Sequence, residues 1–204
     1  MDRSDGGHAG CMTRYGKTLM THRLCPWWLG YLLASPVRRL FQNPRALLQP
    51  MVTQGMTVLE PGPGMGFFTL ELARLVGPAG RVVAIDIQPR MLAGLARRAA
   101  RAGLAERIDA RLAQDDRLGT DDLEAKVDFV LAFAMVHELP GQAGFFAEAA
   151  RALKSGAQML VAEPRGHVTK EDFAKTLTLA SQAGLSVASE PIIRSSRTAL
   201  LRRR

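Results

Sequence analysis

Five residues have types and positions that could do chemistry: Glu60, Asp86, Asp115, His137 and Glu163, each set just beyond a short apolar run. Glu60 carries the densest signal. Residues 56–76 read MTVLEPGPGMGFFTLELARLV, with Gly62, Gly64 and Gly66 at every second position after the acid. Glycine there lets the backbone turn sharply and lets a ligand approach with no Cβ in the way. Phe67, Leu70, Leu72, Ala73 and Val76 then fall at helical spacing, so a helix N-terminus with free N–H groups points at the ligand and favours an anionic group. The spacing selects among ligands. A dinucleotide fingerprint, G-x-G-x-x-G counted from Gly62, would need glycine where Phe67 stands, so a nicotinamide oxidoreductase is disfavoured. A carboxylate closing the strand repels a pyrophosphate but suits a cationic amine or a sulfonium.

Asp86 closes the next apolar run 20 residues after Gly66, placed to accept hydrogen bonds from both hydroxyls of a ribose. His137 titrates near neutral pH and is the candidate general base or substrate contact. Its alternative is to cap or pack the following loop, and the same choice holds for Glu138 and Glu163. Trp27, Trp28 and Tyr31 could line an aromatic substrate pocket or close over a sulfonium by cation–π attraction. With Arg23, Arg38 and Arg39 they could instead meet a membrane surface, or they could be core. His22 and Cys25 at i, i+3 are too few ligands for a metal, so no metal site is expected, and Cys25 reads as a small buried side chain.

These residues need elements to position them. Thr57-Val58-Leu59 is a β-branched apolar run of the kind found in buried parallel strands. Strands are expected at 81–85, 108–112, 127–132 and 158–162, and helices at 91–102, 142–153 and 170–183, the second stopped by Ser155-Gly156 and the third by Gly184. Residues 186–190 and 197–201 have no helix between them and should pair antiparallel. Strand and helix are expected to alternate five times before this hairpin, which predicts an α/β fold: a doubly wound, Rossmann-like, seven-stranded sheet, mostly parallel, with one antiparallel strand in a C-terminal hairpin. Right-handed crossovers place the ligand crevice at the carboxyl ends of the strands, so Glu60, Asp86, Asp115, Phe133, His137 and Glu163 share one rim.

Upstream, residues 1–20 lack periodicity and are expected to be a disordered leader, with Met12 and Met20 as alternative starts. Residues 21–50 suggest a helical lid or cap whose last helix runs from Pro44 to Pro50, and residues 51–204 form the ligand-binding domain. A hydrophobic content of 47% and a charged content of 23% are those of a soluble globular protein. No apolar run approaches the roughly 20 residues that span a bilayer, and two cysteines make no disulfide framework, so a cytoplasmic setting is expected. The net charge of +8 admits nucleic acid as a partner, but the arginines are scattered along helix faces, as at Arg97, Arg98 and Arg101. A small molecule is the favoured partner, and nothing in the sequence sets the oligomeric state.

From Met51 onward the chain resembles class I S-adenosylmethionine (SAM)-dependent methyltransferases, in particular the small type 11 and UbiE-like group. The resemblance rests on Glu60 with Gly62, Gly64 and Gly66, on Asp86, on LAFAMVHELP after the fourth strand, and on LKSGAQMLVAEP. It implies SAM as cofactor. Glu60 and the glycines would hold the methionine part, Asp86 the ribose, and Ile87 would flank the adenine. Asp115, or its neighbour Asp116, would hold the adenine amino group, with Phe133 also on the cofactor rim. Trp27, Trp28, Tyr31, His137 and Glu163 remain candidate substrate contacts. Pro61 and Pro63 depart from the family pattern in detail and stiffen the turn. Ala132-Phe133-Ala134-Met135 stands where an Asn-Pro-Pro-Tyr motif would mark amino-methylation of adenine or glutamine. The implied activity is methyl transfer to a small acceptor. The alternatives are an RNA-directed methyltransferase and a SAM-binding protein without transfer activity.

Overall fold

The computed structural model describes residues 42–113 and 117–204. The expectations for the leader, for residues 21–41 of the lid, and for Trp27, Trp28, Tyr31, Cys25, Asp115 and Asp116 lie outside these residues. The first described element is the short helix α1, Pro44–Leu48. Asn43 caps it, its side chain accepting from the backbone N–H of Arg45 and Ala46 at 3.1 and 3.2 Å, and Pro44 presets the first turn.

β1, Thr57–Pro61, leads through the glycine turn to α2, Thr69–Leu75, and β2 is Arg81–Asp86. α3, Pro89–Arg101, buries Met91, Leu95 and Ala99, one residue per turn, and keeps arginines outward. β3 is Ile108–Leu112 and β4 is Val127–Phe133. α4, Gln142–Ala152, then runs directly into β5, Leu153–Pro164. α5, Lys170–Gln182, is capped by Thr169, whose hydroxyl accepts from Asp172 N–H at 3.1 Å. β6, Leu185–Ser189, and β7, Ser196–Arg203, complete the chain.

Among the described residues these strands form one seven-stranded sheet in the order β3-β2-β1-β4-β5-β7-β6. β1 pairs in parallel with β2 and β4, β2 with β3, and β4 with β5, whereas β7 runs antiparallel to both β5 and β6. This is the expected mixed sheet with a single reversed strand. Successive residues of the central strands feed opposite faces. Val58 and Val82 join a core with Leu48, Leu72, Phe129 and Leu131, while Leu59 and Val83 join another with Phe145, Phe146 and Val161. Apolar burial on both faces is why these strands read as continuous hydrophobic runs.

Two local expectations are corrected. Residues 154–157 do not separate α4 from its strand. β5 begins at Leu153, which pairs with Val127, and the ladder resumes at Gln158 opposite Phe129, so the Ser155-Gly156 region is a bulge within the pairing. Nor do the described residues between β3 and β4 include the α-helix that the alternation predicts. Between residues 117 and 126 there is a single 3₁₀ turn, Asp121–Leu123. That stretch offers Leu118 and Leu123 as its large apolar side chains, too few for an amphipathic face. Among the described residues no helix is long and apolar enough to cross a membrane.

Candidate active site

The parallel register carries the ends of β1, β2, β4 and β5 to one edge, where a doubly wound sheet binds its ligands. Glu60 sits one residue inside the end of β1 and is 3% exposed. Its Oε2 and the neighbouring Thr69 Oγ1 are buried and make no hydrogen bond. Burial pushes the Glu60 carboxyl up to about 8; the Thr69 hydroxyl draws it partway back and the charge of Asp86 pushes it further up. An unpartnered buried carboxyl oxygen costs stability and is usually kept for a ligand or a water.

All three glycines of the turn have positive φ, 67° at Gly62, 53° at Gly64 and 83° at Gly66, but they serve different ends. A Cβ on Gly62 would stand 3.0 Å from Met135 Cβ, and one on Gly66 would stand 2.4 Å from Leu95 Cδ1. Those two glycines permit packing against the β4 loop and against α3. A Cβ on Gly64 would meet nothing within 4 Å, so this glycine faces open space. The Gly64 N–H donates to Asp86 Oδ2 at 3.2 Å, and the Gln88 N–H donates to Oδ1 at 2.8 Å. Asp86 thus ties the glycine turn to the end of β2. Burial raises its carboxyl above the usual range, opposed by hydrogen bonds from the Gln88, Gly64 and Ile87 amides. Ile87 beside it is 47% exposed, an apolar side chain left in the open at this edge.

Beyond β4 the backbone takes a left-handed step at Ala134, φ 56°, a conformation uncommon outside glycine. The Ala134 N–H still donates to Ala162 O at 2.7 Å, so the end of β4 stays on β5 while the chain turns. The N–H groups of Met135 and Val136 then donate to Glu163 Oε1 at 3.3 and 2.9 Å. Glu163 Oε2 bonds His137 Nδ1. Glu163 is 1% exposed and the His137 side chain 21%, so Glu163 lies behind the histidine. That carboxylate holds the imidazole above its ordinary pKa against the opposing effect of burial, with Glu138 adding a smaller push upward. The His167 ring stands edge-on to His137 at a centroid distance of 5.6 Å. Phe133 packs on Phe68, centroids 4.6 Å apart.

Of the six residues expected on one rim, Asp115 lies outside the described residues, and the structure sets Glu60, Asp86, Phe133, His137 and Glu163 there, with Glu60 next to Asp86 and His137 joined to Glu163. The sequence reading missed Met135, Thr69 and His167. Met135 and Thr69 had a signal, lying beside the glycine turn or the strand end; His167 had none. Among the described residues no group of three or more His, Cys, Asp or Glu could hold a metal ion.

Comparison with known proteins gives these features a setting. A family described as "Methyltransferase domain" matches residues 52–195. The chain is 32% identical over 144 residues to the ribosomal protein L11 methyltransferase of Pelotomaculum thermopropionicum, covering 69% of this chain and 42% of that protein. It is 29% identical over 121 residues to the arsenite methyltransferase of Halobacterium salinarum, covering 59% of this chain and 30% of that one. The chain therefore spans less than half the length of these curated relatives. Among solved structures, a SAM-dependent methyltransferase from Aquifex aeolicus superposes with a TM-score of 0.77 at 23% identity, over 88% of this chain and 98% of that one. The cyclase SpnF superposes at 0.61 with 21% identity, over 72% of this chain and 58% of that one.

Proposed function

The chain belongs to the methyltransferase-domain family, and on that premise we propose that it transfers a methyl group from SAM to a small-molecule acceptor at the edge formed by β1, β2, β4 and β5. SAM is the cofactor of SAM-dependent family members, and the residues present fit it. The single observation that carries the reading is the buried, unpartnered Oε2 of Glu60 beside a glycine turn whose Gly64 faces open space. A cationic amine would supply the missing donor, and the bare Gly64 backbone would admit the ligand. Asp86 keeps acceptor capacity beyond the hydrogen bonds from the neighbouring amides and takes the ribose hydroxyls; Ile87 offers its exposed side chain to the adenine.

When bound, SAM supplies a methyl group activated by its sulfonium. The protein's part is then chiefly alignment. Holding two reactants in line supplies several kcal/mol of the barrier, roughly 7–11 at best. Glu60, Gly64 and Asp86 fix the donor at the ends of β1 and β2, while the flank after β4, with His137, is left to the acceptor. A recessed His137 with a buried carboxylate behind it suits a small ligand better than a folded macromolecule. The relatives named for arsenite and for ribosomal protein L11 carry chemically unlike acceptors, so those names do not select one here.

The test is transfer of isotope-labelled methyl from SAM into cell extract, fractionated into small molecules, protein and nucleic acid. Label in the small-molecule fraction is the expected result. Label confined to RNA or protein would refute the acceptor class, and SAM binding without label in any fraction would favour a binding role without transfer.

A further inference from the structure

From the His137–Glu163 pair we infer that the acceptor is a protic nucleophile, an oxygen, nitrogen or sulfur atom that still carries its proton, and that His137 Nε2 removes this proton while Glu163 acts as a positioning residue. The inference rests on the methyl-transfer reading of the same site.

The hydrogen bonds around Glu163 fix the tautomer of His137. Glu163 Oε1 is already claimed by two donors, the N–H groups of Met135 and Val136. Its Oε2 is left to His137 Nδ1. An ionised carboxylate is acceptor-only, so in the neutral imidazole the proton sits on Nδ1. Nε2 is then the basic nitrogen, and it makes no hydrogen bond among the described residues. The left-handed step at Ala134 aims the Met135 and Val136 amides at Glu163. An uncommon backbone conformation held at a strand end is the kind of feature that accompanies function. A histidine that merely capped the loop would not need a carboxylate 1% exposed behind it. Burying that charge is costly unless its partners are fixed.

In the step so assigned, the acceptor X–H gives its proton to Nε2 as X bonds the methyl carbon. The carbon–sulfur bond breaks with its electron pair going to sulfur, leaving X–CH3, S-adenosylhomocysteine and an imidazolium. Glu163 faces the positive charge that develops on the ring. The other ionisable groups facing His137 are Glu138 on its own turn and His167 from the loop before α5. Acceptors that carry no proton, such as a thioether or a halide, would make no use of this arrangement.

Glu163→Gln gives a sharp test. The amides of Met135 and Val136 hold the Gln carbonyl oxygen on their side, which turns the NH2 group toward His137 Nδ1. Nδ1 must then accept, and the neutral imidazole moves its proton to Nε2. Nitrogen-15 NMR of the S-adenosylhomocysteine-bound protein, titrated from pH 5 to 10, reads the tautomer directly. The expected result is Nδ1–H in the wild type, Nε2–H in Glu163→Gln, and a lower His137 pKa in the variant. Formation of S-adenosylhomocysteine is measured at neutral pH in parallel with a phenol, an aliphatic alcohol and a thiol against dimethyl sulfide and iodide. Turnover of protic members only, reduced at least 100-fold in His137→Gln with the Kd for SAM within twofold of wild type, supports the assignment. Nε2–H in the wild type, undiminished turnover in His137→Gln, or SAM binding with silence across the whole panel overturns it. Absence of SAM binding would instead mark failure of the methyl-transfer reading itself.

Discussion

Replacing Glu60 by Gln tests the buried carboxyl near the end of β1. The carboxyl is 3% exposed, and burial moves it from 4.5 to about 8. A folded-state pKa raised above the unfolded value means that the native state holds the proton more tightly. Stability is therefore fully present below about pH 4.5 and is lost as pH rises toward 8. Linkage over that interval gives a loss of about 4 kcal/mol between pH 5 and pH 9, approaching about 5 kcal/mol at higher pH. Glutamine keeps the size and cannot ionise, so Glu60→Gln removes this slope. Urea unfolding at half-unit steps of pH should show the variant gaining on wild type by about 1.5–2 M in midpoint at pH 9, with little difference at pH 5. Parallel pH profiles for the two proteins would refute the reasoning. On the proposed reading the same carboxyl should link SAM binding to protons. Ionising to meet a cationic amine, Glu60 should release close to one proton per SAM at pH 7, read from binding enthalpies in buffers of different ionisation heat.

Asp86→Ala should weaken SAM binding at least 100-fold by calorimetry and cost about 1–3 kcal/mol of stability, because the Gly64 and Gln88 amides lose their acceptor. Gly64→Ala and Gly66→Ala should separate binding from folding. The first puts a methyl group into open space and should abolish SAM binding for roughly 1–2 kcal/mol of left-handed strain. The second drives a methyl group into Leu95 and should cost about 2–4 kcal/mol in urea unfolding. Thr169→Ala removes the cap of α5 and should cost about 1 kcal/mol without changing SAM binding.

The strands that build the site were legible because they are short apolar runs buried on both faces, and each ends at a polar residue that marks the rim. Val58-Leu59 before Glu60 and Val82 to Ile85 before Asp86 are of this kind. The 3₁₀ connection between β3 and β4 was not, since its few apolar residues carry no period. Nor was the left-handed Ala134, because alanine has no signature for positive φ and is held there by its hydrogen bond to Ala162 and by the two amides bound to Glu163. His137 and Glu163 were each visible as strand-end residues. Their pairing depends on β4 lying beside β5, with Phe133 opposite Ala162, a long-range contact that no local pattern encodes. The glycine turn read correctly as a turn, yet only Gly64 among its three glycines leaves open space for a ligand.

Calorimetric titration of the purified protein with SAM and S-adenosylhomocysteine, with NADH as the control, decides whether this edge of the sheet holds the cofactor. Both sulfur nucleosides should bind stoichiometrically, Asp86→Ala should lose that binding, and NADH should give no heat. Binding of NADH, or saturation by neither nucleoside with a folded protein, would contradict the assignment of SAM to this edge.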